Sequence, residues 1–288
     1  MDKIQVFVMT RNRPNTVLKA IDSIVAQTYL NLEIVVSDNS TNEETSKLLE
    51  PYVSAQKIKY VRQVPMAGVD HLNKVHDMVE AKYYMIFHDD DTMHPDMVKQ
   101  LYELAERFPG ASAIGANANI IRNGRFFRTA FQEKRIVVLK TVDQLISRYT
   151  KKYAIAPFPS YMYNKEKVGD LRTCYAHGGK YADVSFLSDL ACKGYIIYAP
   201  EPLMDYYIHS GQDSTKWEFC QYVTLTNYLK KVVREKETVK PLRLINIYHV
   251  LIQDKTISLI SRRCIFTICN LPFLYAGKLT VKKLLGSN

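Results

Sequence analysis

The chain has 288 residues, of which 47% are hydrophobic and 24% charged, and its formal net charge is +10. A chain of this length can bury one large core or two small ones, and its composition excludes a protein that is disordered throughout. The five cysteines are scattered, odd in number and without CxxC spacing, which argues against a disulfide framework or a zinc site. The first residues show no signal peptide, so we expect a cytoplasmic protein.

Strand-like and helix-like segments alternate through the first third of the chain. The predicted strands span residues 4–9, 32–36, 58–61 and 83–87, and helical spacing of apolar residues separates them. This alternation predicts an α/β fold with a mostly parallel sheet. After about Ala111 the pattern becomes mixed, and Arg122-Asn123-Gly124-Arg125 has the composition of a hairpin turn. Further on, the pattern predicts a helix over residues 183–192 with Gly194 as its C-cap, followed by two strands over residues 195–199 and 204–208.

Polar side chains follow three of the predicted strands. Because ligands of open α/β sheets bind outside the carboxyl ends of the strands, we expect these side chains on one rim. They are Thr10, Arg11 and Asn12 after the first strand, Asp38 after the second, and Asp89, Asp90 and Asp91 after the fourth.

The acidic triplet Asp89-Asp90-Asp91 ends an apolar, aromatic strand. Three adjacent carboxylates repel one another, and placing them beside a buried strand end costs free energy. A divalent cation removes this repulsion, and the hard oxygen ligands suit Mg²⁺ or Mn²⁺. The alternative is a solvated acidic turn that precedes the next helix, where Asp is favoured in any case.

Several segments in this order resemble the family 2 glycosyltransferases, which have the GT-A fold. They are residues 8–14, 23–29, 33–40, 88–91, 95–96, 160–163, 178–183 and 207–210. The resemblance covers roughly residues 3–215. His88 departs from the pattern, because many members have the first Asp of their acidic motif at this position.

The resemblance implies site residues. Asp90, Asp91 and His209 would hold Mn²⁺ or Mg²⁺, and Asp183 would be the general base that deprotonates the acceptor. Each has a plain alternative: Asp183 as a helix N-cap, His209 as a structural histidine, and Asp38 as the cap of a turn with Asn39 and Ser40. The implied nucleotide-binding residues are Thr10, Arg11, Asn12, Asp38, Asn73 and Asp89.

The implied activity is metal-dependent transfer of a sugar, with inversion, from a nucleotide-diphosphate donor. We expect a UDP-sugar as donor and, as acceptor, a hydroxyl of a saccharide or a lipid-linked saccharide in surface polysaccharide synthesis. Two alternatives stay open. A nucleotidyltransferase would carry a Gly-rich phosphate loop after the first strand, and residues 10–14 contain no glycine. A non-catalytic nucleotide-sugar-binding module would keep the site without the chemistry.

Nine of the ten net positive charges lie in residues 216–288, which hold thirteen basic and four acidic residues. We predict a GT-A domain over residues 1–215 and a helical basic region over residues 216–288. Apolar stretches between basic pairs favour contact with an anionic membrane surface, on the inner face of the cell membrane. Helices that cover the catalytic domain or form a dimer contact are the alternative. Tyr222, Tyr228 and Tyr248 have helical spacing, not the basic-aromatic interleaving of a nucleic-acid site, so we expect no nucleic-acid partner.

Overall fold

A computed structural model describes residues 1–150, 155–209 and 218–242 of the chain. In chain order its strands are β1 (Ile4–Thr10), β2 (Leu32–Asp38), β3 (Lys59–Arg62), β4 (Tyr83–His88), β5 (Thr92–Met93), β6 (Ala111–Arg122), β7 (Arg125–Thr129), β8 (Val137–Leu139), β9 (Tyr161–Asn164) and β10 (Tyr195–Ile208). They form one sheet in the order β3-β2-β1-β4-β9-β6-β10-β5, with β7 paired to β6 and β8 to β10. The four parallel pairs β1–β2, β1–β4, β2–β3 and β6–β10 include the longest ladders. The antiparallel pairs are short. The predicted α/β fold with a mostly parallel sheet is confirmed.

Residues 1–88 follow the predicted alternation of strands and helices. Strand β1 is the centre of this part, and it is almost entirely buried between β2 and β4. Strands β1, β2 and β4 are largely apolar, as expected of parallel strands that are covered on both faces. The elements are β1 (Ile4–Thr10), α1 (Pro14–Val25), β2 (Leu32–Asp38), α2 (Glu44–Ser54), β3 (Lys59–Arg62), α3 (Gly68–Asp77) and β4 (Tyr83–His88).

After β4, the antiparallel strand β9 joins the two parallel parts of the sheet, because it lies between β4 and β6. The elements are β5 (Thr92–Met93), α4 (Met97–Arg107), β6 (Ala111–Arg122), β7 (Arg125–Thr129), β8 (Val137–Leu139), α5 (Val142–Thr150), β9 (Tyr161–Asn164), α6 (Lys165–Val168), α7 (Ala182–Ala191), β10 (Tyr195–Ile208) and α8 (Phe219–Val232).

Two sequence expectations for the chain after β4 need correction. The predicted strands over residues 195–199 and 204–208 are one strand, β10, whose register against β6 shifts around Pro202 because proline has no N–H to donate. Gly194 was expected as the C-cap of α7, but that cap is Cys192. A Cβ on Gly194 would lie 2.7 Å from the Gly110 carbonyl oxygen, so glycine allows the close approach of two strand starts.

The described beginning of the basic C-terminal region packs on the catalytic half. Leu225 and Leu229 of α8 are fully buried, and the Tyr228 hydroxyl donates a hydrogen bond to Asp189 of α7 at 2.6 Å. The boundary at residue 215 stays a prediction. The predicted membrane contact of residues 243–288 lies outside the described residues. Within the ranges that the structure covers, no helix is long and apolar enough to cross a bilayer.

Candidate active site

The acidic triplet forms a tight turn between β4 and β5, at the carboxyl edge of the sheet. Strand β4 pairs with β1, so this turn lies beside the loop that follows β1. Asp89 and Asp91 are only 3% and 1% exposed, which contradicts the alternative of a solvated acidic turn. Three carboxylates are therefore held close together away from bulk water, and each one has different partners.

Asp89 faces the loop after β1. The Thr10 hydroxyl donates to one of its oxygens at 2.7 Å, and the Arg13 guanidinium donates to the other at 3.0 Å. Burial raises the pKa of Asp89, although Arg13 and Thr10 oppose the rise. Thr10 and Asp89, both predicted to contact the nucleotide, thus bond to each other and join β1 to β4.

Asp90 is the best-compensated carboxylate of the three. Its Oδ2 lies 3.0 Å from the Arg13 guanidinium and 2.8 Å from Nε2 of His209, the residue that follows β10. Burial alone would raise the pKa of Asp90, but the nearby His88, His209 and Arg13 lower it on balance. Asp90 is therefore ionised at neutral pH, and the structure brings it together with His209, as the resemblance implied.

Asp91 has one oxygen that is poorly compensated. Its Oδ1 accepts a hydrogen bond from the Tyr207 backbone N–H at 2.9 Å. Its Oδ2 is buried and has no hydrogen-bond partner among the described residues. Burial, and then the charge of Asp90, raise the pKa of Asp91 well above its usual range. Leaving such an oxygen unpaired in the protein interior is costly, and a bound cation would remove that cost.

His88 completes a group of three side chains that could hold a metal ion. One ligand atom each of His88, Asp90 and Asp91 lies within 4.8 Å of the others. The His88 Nδ1 is 3.8 Å from the buried Asp91 Oδ2, and burial lowers the pKa of His88, which favours the neutral imidazole that binds metals. Sequence reasoning assigned His88 to no metal site. The sequence feature that could have indicated His88 as a metal ligand is its i,i+3 spacing from Asp91, across the junction of strand β4 and the acidic turn.

Asp38 is fully buried at the carboxyl end of β2. Its Oδ1 accepts the Ser40 backbone N–H at 2.8 Å, as expected of a turn cap. Its Oδ2 accepts the Tyr60 hydroxyl at 2.5 Å and the Arg62 guanidinium at 3.2 Å. Asp38 thus positions Tyr60 and Arg62 of β3 on the rim. Neither residue was singled out from the sequence.

The loops after β1, β2 and β3 are tied together by side chains. Asn12 adopts a left-handed backbone (φ 54°), its N–H donates to the Ser40 hydroxyl at 2.7 Å, and its side-chain oxygen accepts the Thr41 N–H at 2.9 Å. The Arg11 guanidinium donates to the Met66 carbonyl at 3.2 Å. Arg11 and Asn12 therefore shape the predicted nucleotide pocket through loop contacts.

Asn73 lies on α3 and bonds to a distant part of the chain. Its side-chain NH₂ donates to the Thr173 carbonyl at 2.8 Å, and its side-chain oxygen accepts the Thr173 N–H at 2.9 Å. This reciprocal pair ties α3 to the segment that leads into α7. The predicted nucleotide contact of Asn73 stays a prediction.

Asp183 lies in the first turn of α7 and is partly buried. Burial raises its pKa to about 6, and the hydrogen bond from the Val184 N–H, at 2.9 Å, opposes the rise only in part. Its charge in turn raises the pKa values of four surrounding tyrosines, after the effect of their own burial. They are Tyr149, Tyr161, Tyr163 and Tyr181. A carboxylate with a pKa near 6 in an aromatic recess has the properties of a general base.

The segment before Asp183 is fixed by α8. Gly179 has a left-handed backbone (φ +61°), and a Cβ there would lie 2.3 Å from the Gln221 side chain. The Gln221 side-chain oxygen accepts the Lys180 N–H at 2.6 Å. A residue of the C-terminal region therefore helps to position the candidate base.

The fold is that of the GT-A glycosyltransferases, as two solved structures show. S. aureus TarS in complex with UDP-GlcNAc aligns with a TM-score of 0.67 and 14% identity, over 90% of this chain and 77% of TarS. The mannosyltransferase PcManGT from Pyrobaculum calidifontis, in complex with GDP-Man and Mn²⁺, aligns with a TM-score of 0.62 and 17% identity, over 100% of this chain and 88% of PcManGT.

A sequence model of glycosyl transferase family 2 matches residues 5–168, which is more than half of the chain. The chain therefore belongs to glycosyl transferase family 2, and it is a glycosyltransferase. An uncharacterized glycosyltransferase of Haemophilus influenzae is 24% identical over 300 residues, covering 98% of this chain and 89% of the relative. Glycosyltransferase GlyA of Streptococcus pneumoniae is 28% identical over 115 residues, covering 40% of this chain and 16% of that protein.

Proposed function

We propose that this glycosyltransferase uses a divalent cation to transfer a sugar from a nucleotide-diphosphate donor, with inversion, to an acceptor hydroxyl. The buried, unpartnered Oδ2 of Asp91 beside the ionised Asp90 carries this proposal. Asp90 and Asp91 would hold the cation, with His88 or His209 as a nitrogen ligand. Mixed oxygen and imidazole ligands suit Mn²⁺ somewhat better than Mg²⁺.

When bound, the cation would supply charge stabilisation for the diphosphate that leaves with the nucleotide. The protein's own side chains provide a further positive charge and the general base. Arg13, which lies 3.0 Å from both Asp89 and Asp90, offers a second positive charge at the same edge. Asp183 accepts the proton of the acceptor hydroxyl, and the tyrosines around it keep bulk water away from that proton transfer. One base acting on a direct displacement inverts the anomeric carbon.

The proposed donor is a UDP-sugar. Asp38, Tyr60 and Arg62 form a hydrogen-bonded group at the carboxyl edge, beside the loop after β1. A base would reach the fully buried Asp38 carboxylate only by replacing one of its present partners, and the imide N–H of uracil could do so, whereas cytosine lacks that donor. Guanine also presents a ring N–H, so UDP and GDP need direct comparison. As acceptor we propose a saccharide or lipid-linked saccharide in surface polysaccharide synthesis.

Isothermal titration of UDP and of GDP, each with and without Mn²⁺, tests the donor site. We expect UDP to bind with Mn²⁺ and the affinity to fall at least tenfold without the metal or in Asp90→Ala, because the diphosphate then meets uncompensated carboxylates. The matched control is Asp70→Asn, which neutralises an exposed carboxylate on α3. It should leave the affinity unchanged.

Metal-dependent binding of GDP but not of UDP would show that the donor is a GDP-sugar and not the proposed UDP-sugar. Metal-independent binding of both nucleotides, unchanged in Asp90→Ala, would show that the acidic turn is structural and would contradict the metal proposal. Product stereochemistry tests the role of one base, because retention at the anomeric carbon would contradict inversion by Asp183.

A further inference from the structure

A hairpin of β6 and β7 carries the largest aromatic exposure in the described part of the chain. Asn123 and Gly124 form its turn with positive φ angles of 52° and 72°, which confirms the turn predicted from the sequence. Phe126 is 62% exposed and Phe127 is 58% exposed. Adjacent residues of a regular strand point to opposite faces, and one face is usually covered. Two neighbouring exposed phenylalanines therefore need an explanation.

A bulge in β7 explains the geometry. Ile121 of β6 pairs with Phe126, whereas the preceding residue Ile120 pairs with Arg128, so Phe127 is an extra residue in the ladder. A bulge interrupts the alternation of faces and re-aims side chains. Strand β7 pairs only with β6 within the described sheet, so its outer edge is open. Both rings are thus exposed on an edge that no other described strand covers.

The hairpin and the segment that follows it are rich in basic residues. Between residues 122 and 135 the chain has five basic residues and one acidic residue. The Arg122 guanidinium lies 6.0 Å from the centre of the Phe127 ring. The acidic residue, Glu133, is paired with Arg148 at 2.6 Å. The other basic residues are Arg125, Arg128, Lys134 and Arg135, all of them exposed.

The hairpin turn lies next to the candidate active site. Arg122 pairs with Ile208 of β10, and the residue after Ile208 is His209, which contacts Asp90. A partner seated on the hairpin would therefore lie at the rim of the acidic turn. Apolar rings with basic neighbours are the composition that inserts into the headgroup layer of an anionic bilayer. A saccharide would favour an aromatic platform inside a cleft, whereas these two rings lie on a strand that has no neighbour on its outer side within the described sheet.

We propose that the β6–β7 hairpin is a docking surface for an anionic lipid bilayer. Phe126 and Phe127 enter the headgroup layer, and the arginines bind lipid phosphates. The bilayer would then hold the rim of the site near acceptors that are anchored in lipid. This proposal can be tested separately from the proposed function, because vesicle binding is measured in the absence of a nucleotide-sugar donor.

Flotation of the full chain with vesicles tests the proposal. We expect binding to vesicles of phosphatidylcholine with a quarter phosphatidylglycerol, and much weaker binding to phosphatidylcholine alone. Phe126→Ser with Phe127→Ser should weaken binding roughly tenfold or more, because the apolar area that inserts is lost. Arg125→Gln should weaken it about fivefold, on anionic vesicles only. The matched control replaces two other exposed apolar residues, Leu30→Ser with Val64→Ser, and should bind as the wild type does.

A site-specific probe separates the hairpin from the rest of the chain. The chain has one tryptophan, Trp217. In the double variant Trp217→Phe with Phe127→Trp, the new indole should shift its emission to the blue on anionic vesicles and be quenched by brominated lipid. Vesicle binding without a shift or quenching would place the contact elsewhere and overturn the proposal.

Two further results would overturn it. If the serine variant floats as the wild type does, the rings do not insert. If that variant instead converts a dimer to a monomer in sedimentation velocity, with vesicle binding unchanged, the hairpin is an interface between copies of the chain. Thermal unfolding and UDP titration of each variant confirm that the fold and the donor site are intact.

Discussion

At the scale of single residues, three carboxylates of the candidate site destabilise the fold when they are ionised, whereas Asp90 is compensated by its neighbours. Burial raises the pKa values of Asp89, Asp91 and Asp183, so each ionised form is less favourable in the folded chain than in water. Such groups persist where function requires them, and their replacement commonly increases stability while it abolishes activity. Asp183 allows the clearest test, because its pKa of about 6 lies in an accessible range.

We predict that Asp183→Asn stabilises the protein at pH 7.5. The folded pKa is about 6 and the unfolded value is 3.8, so the penalty is absent at pH values below the unfolded pKa, develops as pH rises, and is complete above about 6. At pH 7.5 the variant should gain about 1–3 kcal/mol in free energy of unfolding. The gain should shrink towards pH 4. Urea denaturation at both pH values measures it.

The control for this prediction is Asp170→Asn, an exposed carboxylate that should change little. The same pKa predicts that transfer activity falls about tenfold per pH unit below pH 6, because only the ionised base accepts a proton. The N-cap of α7 is Tyr181, so the alternative of Asp183 as the helix N-cap is wrong. A loss of stability in Asp183→Asn at pH 7.5 would show instead that Asp183 stabilises the first turn of α7 through the Val184 N–H, and it would contradict the prediction.

At the scale of elements, the strands and helices that depend on hydrophobic periodicity could be predicted from the sequence. Element boundaries that depend on long-range contacts could not. All four predicted strands between residues 4 and 88 are present, and β1, β2 and β4 have the apolar runs that buried parallel strands require. The sequence predicts two strands in place of β10 because Pro200 and Pro202 interrupt the pattern, and only pairing with β6 maintains one strand across them. The sequence favours a helix cap at Gly194 because the close approach of Gly110, which lies far away in the chain, cannot be read from it.

Asn73 of α3 also makes long-range contacts that could not be predicted from the sequence, and their contribution to stability can be tested. Its two bonds to the Thr173 backbone tie α3 to the segment before α7. We expect Asn73→Ala to lower the free energy of unfolding by about 1–3 kcal/mol, since each hydrogen bond contributes roughly 0.5–1.5 kcal/mol. Urea denaturation measures the loss, and UDP titration of the same variant tests separately whether Asn73 also contacts the nucleotide. Lys74→Ala, at an exposed position of the same helix, is the control.

The opposite result is equally informative for Asn73. Unchanged stability with an affinity for UDP that falls tenfold or more would support the nucleotide contact that the family resemblance implied. It would also show that the loop before α7 is held by other contacts, such as that of Gln221 with Lys180.

At the scale of the whole molecule, the rim could be predicted because the carboxyl ends of parallel strands share one edge. The acidic turn, Thr10 and Asp38 all lie at that edge. Their partners could not be predicted, because Arg13, Tyr60, Arg62 and His88 acquire their contacts from side-chain directions that spacing does not specify. The aromatic recess around Asp183 likewise draws on three separate parts of the chain.

The division of the chain at residue 215 can be decided by truncation. Helix α8 buries apolar side chains against α7, and each such side chain contributes about 1.5–3 kcal/mol when it is fully buried. A typical domain has only about 5–15 kcal/mol of total stability. The chain that ends at residue 217 should therefore fail to fold, whereas the chain that ends at residue 242 should unfold cooperatively. The side chains concerned are Tyr222, Leu225 and Leu229 of α8, and the buried Leu242 beyond the helix is lost with them.

Circular dichroism melting of both truncated chains and of the full chain measures the outcome. The chain ending at residue 242 retains α8, the Gln221 contact with Lys180 and the Tyr228 contact with Asp189. It should keep metal-dependent UDP binding, because those contacts position the segment before Asp183. A stable chain ending at residue 217 with intact UDP binding would show that the catalytic domain does end near residue 215. In that case α8 would be an appended helix, and its packing on α7 would contribute little to the fold.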